Sequence, residues 1–186
     1  MMITPLNFVI RDAIATDIED CLALDHQYQT KTVWQMTILP DGEAWQVQFR
    51  EERLPREIDV LYPSDNMRLR LALPREICYL VAVSKTEPET LLAYLTLRPD
   101  PVHKIALIQD IVVGREYRNK GIGTRLLGIA RHWASEHGAQ QLMLETQTIN
   151  YPSIRFCQKN GLSFCGFNDQ YYRNLDIAVF FGQTLR

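Results

Sequence analysis

The chain has 186 residues, is 46% hydrophobic and 23% charged, and carries a net charge of −2; that suits one globular domain with a sizeable core and argues against a general nucleic-acid binder, which needs a concentrated basic surface. No apolar run approaches the ~20 residues that span a bilayer, and the start, Met1 to Asn7, lacks the basic lead and apolar stretch of a signal peptide. Four scattered cysteines (Cys21, Cys78, Cys157, Cys165) form no Cys-x-x-Cys pair, so neither a metal site nor a disulfide scaffold is expected, and a soluble cytoplasmic protein is.

Phe8 to Arg11 reads as a first strand. Thr16-Asp17-Ile18-Glu19 fits a capping box that opens a helix toward Tyr28. Residues 33–39 and 44–49 read as two strands joined by the turn sequence Pro40-Asp41-Gly42-Glu43. From Arg50 to Pro74, mixed charges and prolines leave no clear element. Asp41, Glu43, Glu51, Glu52, Glu57, Asp59 and Asp65 here outnumber Arg50, Arg53 and Arg56, with Trp34, Trp45 and Tyr62 close by. The segment is either an acidic, aromatic-bearing flap suited to a cationic amine or a solvated surface over core aromatics. Tyr79 to Val83, Leu91 to Leu97 and Ile105 to Val113 read as consecutive strands.

A helix follows from about Gly121 to His137, with Ile122, Leu126, Ile129, Ala130, Trp133 and His137 on its apolar face and Gly138 as its C-cap. Then come a strand at Gln141 to Thr146, a helix at Pro152 to Lys159, and strands near Ser163 to Phe167 and Ile177 to Gly182. The strand-helix-strand crossover implies parallel pairing of the strands around 110 and 144. The meander before it and the hairpin after it should be antiparallel, so the sheet is mixed.

Arg118-Asn119-Lys120-Gly121-Ile122-Gly123-Thr124 lies between the strand and the long helix. A basic, glycine-containing turn at a helix N-terminus is an anion cradle: amides point outward, the dipole favours negative charge, and glycine admits a phosphate closely. Position 126 is leucine, so the dinucleotide fingerprint fails, and no Gly-x-x-x-x-Gly-Lys-Ser/Thr occurs. What remains, Arg-x-x-Gly-x-Gly after a strand, resembles the pyrophosphate-binding loop of the GNAT acyltransferase superfamily. Leu142-Met143-Leu144-Glu145-Thr146-Gln147, followed by Asn150 and the run to Gly161-Leu162, resembles the next GNAT motif. Together with Asp110-Ile111-Val112-Val113 it is similar to streptothricin-type acetyltransferases. The resemblance covers roughly residues 77–183.

The resemblance implies a GNAT-like α/β fold: a mixed central sheet of six or seven strands, a splayed parallel pair and flanking helices. It implies one domain over 1–186, with 1–75 variable and substrate-specifying and 77–183 the acetyl-CoA-binding core. The implied activity is N-acetyl transfer from acetyl-CoA, a co-substrate, to a primary amine by direct attack on the thioester. A small cationic amine such as a streptothricin-like compound is the implied acceptor, in a monomer or homodimer without metal, membrane or nucleic-acid partner. The alternatives are a protein N-terminal or lysine acetyltransferase, and a degenerate acyl-CoA-binding regulatory module.

On this reading the amides of residues 118–124 hold the diphosphate, with Arg118 and Lys120 adding charge, although Lys120 also reads as a solvated lysine and the glycines as an ordinary turn. The edge at Ile111, Val112 and Val113 takes the pantetheine arm like an added strand. Asn150, Ser153 and Phe156 complete the cofactor set, with helix capping the other role open to Asn150. Asp110 is the first candidate for the amine's base, because a carboxylate in a buried strand is costly unless paired or used. Glu145 is the second. Either could instead bind the ammonium or pair with an arginine. The family's general acid is a tyrosine where this chain has Cys157. A thiol with a reference pKa of ~8.5 can donate a proton, or it can pack as a small apolar group; Tyr151, Tyr171, Tyr172 or water could take the role instead.

Overall fold

The side chains of Ile105–Val113 alternate between half-buried and buried from end to end. Ala106, Ile108, Asp110 and Val112 turn inward, the period of two of a strand with one face fully covered and the other only partly so. The computed structural model describes residues 7–62, 66–73, 78–86 and 89–185. Residues 1–6 of the chain start, Asp65 of the acidic segment and Pro74 lie outside these residues, as does the side chain of Asp41.

In chain order the first elements are β1 (Phe8–Asp12), α1 (Asp17–Ala23), β2 (Gln27–Asp41), β3 (Ala44–Leu61), α2 (Asn66–Ala72), β4 (Cys78–Ser84) and β5 (Leu91–Asp100). Then follow β6 (Ile105–Val113), α3 (Ile122–Glu136), β7 (Gln141–Gln147), α4 (Tyr151–Lys159), β8 (Ser163–Asn168) and β9 (Ala178–Thr184). The hydrogen-bonded order β1-β4-β5-β6-β7-β9-β8 makes a seven-stranded mixed sheet, the α/β architecture expected. Among the described residues no helix is long and apolar enough to cross a membrane.

Two compact units divide the chain: Met1–His26 with Pro63–Leu144 and Gly182–Arg186, and Gln27–Tyr62 with Glu145–Phe181. In the first, β1, β4, β5 and β6 form an antiparallel run. Thr96 faces Asp110 and Leu97 faces Ile108, so Gln109 is the extra residue of a β-bulge, a device that bends a strand and re-aims its neighbours. The parallel ladder pairs Ile105–Ile108 with Gln141–Leu144 and ends there, while β6 runs on to Val113.

Helix α3 buries Ile122, Leu126, Leu127, Ala130 and Ala134, whereas Ile129 is 40% exposed. The apolar arc is thus rotated from the one read off the sequence, toward Leu127 and Ala134. Trp133 instead stacks on His137 at 3.8 Å. Helix α1 also departs from expectation. Thr16 is in a helical conformation with no side-chain cap, and the helix stops at Ala23. Asp17 takes the capping part instead, accepting the Ile14 amide at 2.8 Å while Arg11 grips both its oxygens.

In the second unit, β2 and β3 pair far beyond the expected strands, from Gln27–Leu61 to the tight turn at Asp41–Ala44. The ladder skips from Thr30–Ile58 to Thr32–Arg53, so Leu54, Pro55, Arg56 and Glu57 bulge out together. Pro55 has no N–H to give a ladder, which accounts for the bulge and for the difficulty of reading this segment. Trp34 and Phe49 join Phe164, Phe167 and Phe181 in one aromatic core, with centroids 5.3–6.2 Å apart. Trp34 therefore packs, while Trp45 near the hairpin turn is 75% exposed.

Candidate active site

The loop between β6 and α3 is held in shape by its own side chains. Gly114 donates its amide to Leu92 O at 2.9 Å. A Cβ there would lie 3.1 Å from Tyr117 Cδ2, 3.3 Å from Leu24 Cδ2 and 3.4 Å from Leu92 O, so only glycine fits comfortably. A single 3₁₀ turn, Arg115–Tyr117, follows. Arg118 then folds back: Nε donates to Val113 O at 2.9 Å and a terminal nitrogen to Asp25 O at 3.2 Å. Burial lowers its pKa. Arg115 reaches the carboxylate of Asp25 at 3.5 Å.

Past this brace the backbone turns twice through the left-handed region, at Asn119 (φ 60°) and Gly121 (φ 83°). Gly121 is the N-cap of α3, and no side chain caps the helix. Its carbonyl accepts the first helical bond, from Arg125 N at 3.1 Å. The amides of Ile122, Gly123 and Thr124 therefore stand at the positive end of a 15-residue helix, and Asn119, Lys120 and Gly121 around them are exposed. Lys120 Nζ lies 5.6 Å from the Tyr117 ring centre. Such an arrangement of backbone donors is chemically suited to a polyanion.

Asp110 lies in a polar row across the sheet, with Tyr79 opposite Thr96 and Thr96 opposite Asp110. All three are buried. Its Oδ1 accepts from Arg68 of α2 at 2.6 Å and its Oδ2 from Thr96 Oγ1 at 2.6 Å. Beside it, His26 Nε2 and the hydroxyl of Tyr94 share a 2.9 Å hydrogen bond. Burial lowers the pKa of His26.

In the second unit, Glu145 is half-buried and accepts a hydrogen bond from the Tyr171 hydroxyl. Tyr171 meets Tyr172 and Phe180 edge-on, at 5.3 and 5.5 Å between centroids. Farther along β7, buried Gln147 accepts from the Tyr28 hydroxyl at 3.2 Å and donates to Asp176, which Asn174 also holds at 2.8 Å.

On α4, Asn150 caps the helix through Oδ1, accepting Ser153 N at 3.1 Å. Ser153 and Phe156 are half-buried. Cys157 is fully buried, and burial pushes its thiol up to about 12.

The cofactor positions read at 111–113 and 118–124 thus come together at one end of the first unit, with Asp110 behind them. Glu145, Asn150, Ser153, Phe156 and Cys157 belong to the second. Sequence reading missed Gly114, Asp25, Arg68, Thr96 and the pairing of Tyr171 with Glu145. The glycine directly after a β-branched strand end was a legible signal of close backbone approach. Arg68 carried none, because its partner lies 42 residues away.

The acetyltransferase (GNAT) family model matches residues 42–162. Streptothricin acetyltransferase of Streptomyces lavendulae is 28% identical over 171 residues, covering 90% of this chain and 87% of that protein. Streptothricin acetyltransferase A of Bacillus subtilis (strain 168) is 42% identical over 79 residues, covering 40% of this chain and 46% of that enzyme, so this match spans about half its length. The chain is similar in fold to nourseothricin acetyltransferase, at 23% identity and a TM-score of 0.82 over 96% of this chain and 99% of that one. A Bacillus anthracis str. Ames protein solved in complex with acetyl coenzyme A is 20% identical, with a TM-score of 0.79 over 97% of this chain and 100% of that one.

Proposed function

The chain belongs to the acetyltransferase (GNAT) family, and from that premise we propose that it transfers an acetyl group from acetyl-CoA to a primary amine of a small, cationic, streptothricin-like acceptor. The observation that carries the reading is the start of α3, which no side chain caps, directly after β6 and its braced loop. The Ile122, Gly123 and Thr124 amides suit a diphosphate, and exposed Lys120 adds a positive charge beside it. The edge at Ile111, Val112 and Val113 takes the pantetheine arm. Asn150, with Oδ1 spent on its helix, keeps its amide N–H groups for the cofactor, next to Ser153 and Phe156.

Acetyl-CoA, when bound, supplies the acetyl group as a thioester. The protein's part is to hold it, leave the amine neutral and protonate the departing thiolate. We assign the amine to Glu145 rather than Asp110. Asp110 is fully buried with Arg68 and Thr96 on its two oxygens, which suits a structural anchor. Glu145 is half-buried beside a phenol, where an ammonium could be received. Acceptor selection falls to residues before 76, including the β2–β3 hairpin.

Thiol release from acetyl-CoA, followed over streptothricin, spermidine, an aminoglycoside and peptides with free N-termini or lysines, tests the proposal. Turnover with streptothricin and little with peptides is the expected result. Turnover confined to peptides would make the chain a protein acetyltransferase. Tight acetyl-CoA binding without turnover of any amine would make it a binding module.

A further inference from the structure

We propose that Tyr171 is the positioning residue of the amine-side carboxylate, fixing Glu145 in one orientation. The inference rests on the assignment of the amine to Glu145. Tyr171 lies on the connection between β8 and β9, 26 residues from Glu145 in sequence, so nothing local forces the two together. The phenol is aimed by its ring. Tyr172 meets it edge-on at 5.3 Å and 86°, and Phe180 at 5.5 Å and 89°. Edge-to-face contacts on two sides restrict the ring, so the hydroxyl stays at Glu145 Oε2 instead of sweeping through solvent.

A phenol that donates its one proton to a carboxylate favours the charged form of that carboxylate. Its oxygen keeps lone pairs that can accept from an N–H. The pair therefore presents a carboxylate and a phenolic acceptor side by side to an incoming ammonium. Tyr172 is half-buried, and its pKa is raised by desolvation and by the charge of Glu145, so it stays neutral and serves as a wall. Tyr28 on β2 and Asp176 also act on Tyr172, and Arg173 lies exposed on the same connection.

The test is kcat/KM against pH, with streptothricin as acceptor and saturating acetyl-CoA, for wild type, Glu145→Gln, Tyr171→Phe and the double variant. Tyr171→Phe keeps the ring packing and removes only the donor. The acidic limb should move up by roughly one pH unit, the worth of one hydrogen bond to a charged group. Activity of Tyr171→Phe should then fall below wild type along that limb and meet it again at higher pH, with the KM for acetyl-CoA unchanged. Glu145→Gln should erase that limb, and the double variant should match Glu145→Gln alone. A Tyr171→Phe profile that superimposes on wild type while Glu145→Gln loses its limb overturns the role of Tyr171 and leaves Glu145 in place. If Glu145→Gln itself keeps the wild-type limb, or if streptothricin is not turned over, the assignment of the amine fails and the role of Tyr171 fails with it.

Discussion

Arg118 and Val113 close on each other across five residues: the guanidinium Nε donates to the Val113 carbonyl at 2.9 Å. The basic residue that opens the loop motif is spent on the loop's shape. Its second bond, to the Asp25 carbonyl, ties that shape to the end of α1. Arg118→Lys keeps the charge but loses the fork that spans both carbonyls. We expect it to weaken acetyl-CoA binding roughly tenfold by calorimetry, about 1.4 kcal/mol. Wild-type affinity in that variant would show that charge alone is what position 118 contributes.

Gly123 separates cofactor binding from folding. It is the second residue of α3, where an acidic side chain favours the helix by about 0.3–1 kcal/mol through the dipole. Gly123→Asp should therefore leave the melting temperature unchanged or slightly raised. The same carboxylate would repel a diphosphate on the Ile122, Gly123 and Thr124 amides, and acetyl-CoA binding should vanish. Retained affinity would place the phosphates elsewhere on the protein.

The cofactor loop was legible in the sequence because its physics is local. A strand, two glycines and an apolar helix face are all written within thirty residues. The helix face was rotated in the reading because Ile129 and Trp133 look apolar, while the small Ala130 and Ala134 mark the side that closes on the sheet. The β2–β3 hairpin was cut short because Pro40 and Pro55 read as strand breakers, although Pro40 keeps its place opposite Trp45 and Pro55 is set out in the bulge. Asp110 and Glu145 looked alike, each a carboxylate in an apolar run. What distinguishes them, Arg68 for one and Tyr171 for the other, comes from distant segments that only folding brings near.

Asp110 and Arg68 should behave unequally when cut. Arg68→Ala takes the charged partner from a fully buried carboxylate, whereas Asp110→Asn leaves a guanidinium that is 29% exposed and can reach water. Urea unfolding should show a loss of about 3 kcal/mol for the first and about half that for the second. Turnover by Asp110→Asn should keep the shape of its pH profile. A flattened profile would make Asp110 the base after all.

Acid stability should report on Asp17. Burial works to raise its pKa, but the hydrogen bonds from Arg11 and the Ile14 amide outweigh burial and leave it lowered. A carboxyl depressed in the folded state contributes stability that is fully present above its unfolded value of ~3.9 and is lost as pH falls through the folded value. Asp17→Asn should therefore be less stable than wild type at pH 7, with the gap closing toward pH 3. A gap independent of pH would assign the loss to packing.

The surroundings of Cys157 argue against proton donation. The thiol is fully buried and pushed up to about 12, above a typical thiol at ~8.5, so giving its proton to a departing thiolate runs uphill. At neutral pH it stays protonated in both directions of the reaction and contributes no limb to a pH profile. Cys157→Ala should lower kcat no more than several-fold and shift no apparent pKa, with a stability cost of about 1–2 kcal/mol for the cavity. In the native protein an aromatic disulfide reagent should titrate Cys165, the one exposed thiol among the four, and reach Cys21, Cys78 and Cys157 only after denaturation. A loss of turnover beyond a hundredfold in a folded Cys157→Ala variant, or rapid native labelling of Cys157, would restore the thiol as the acid that protonates the leaving group.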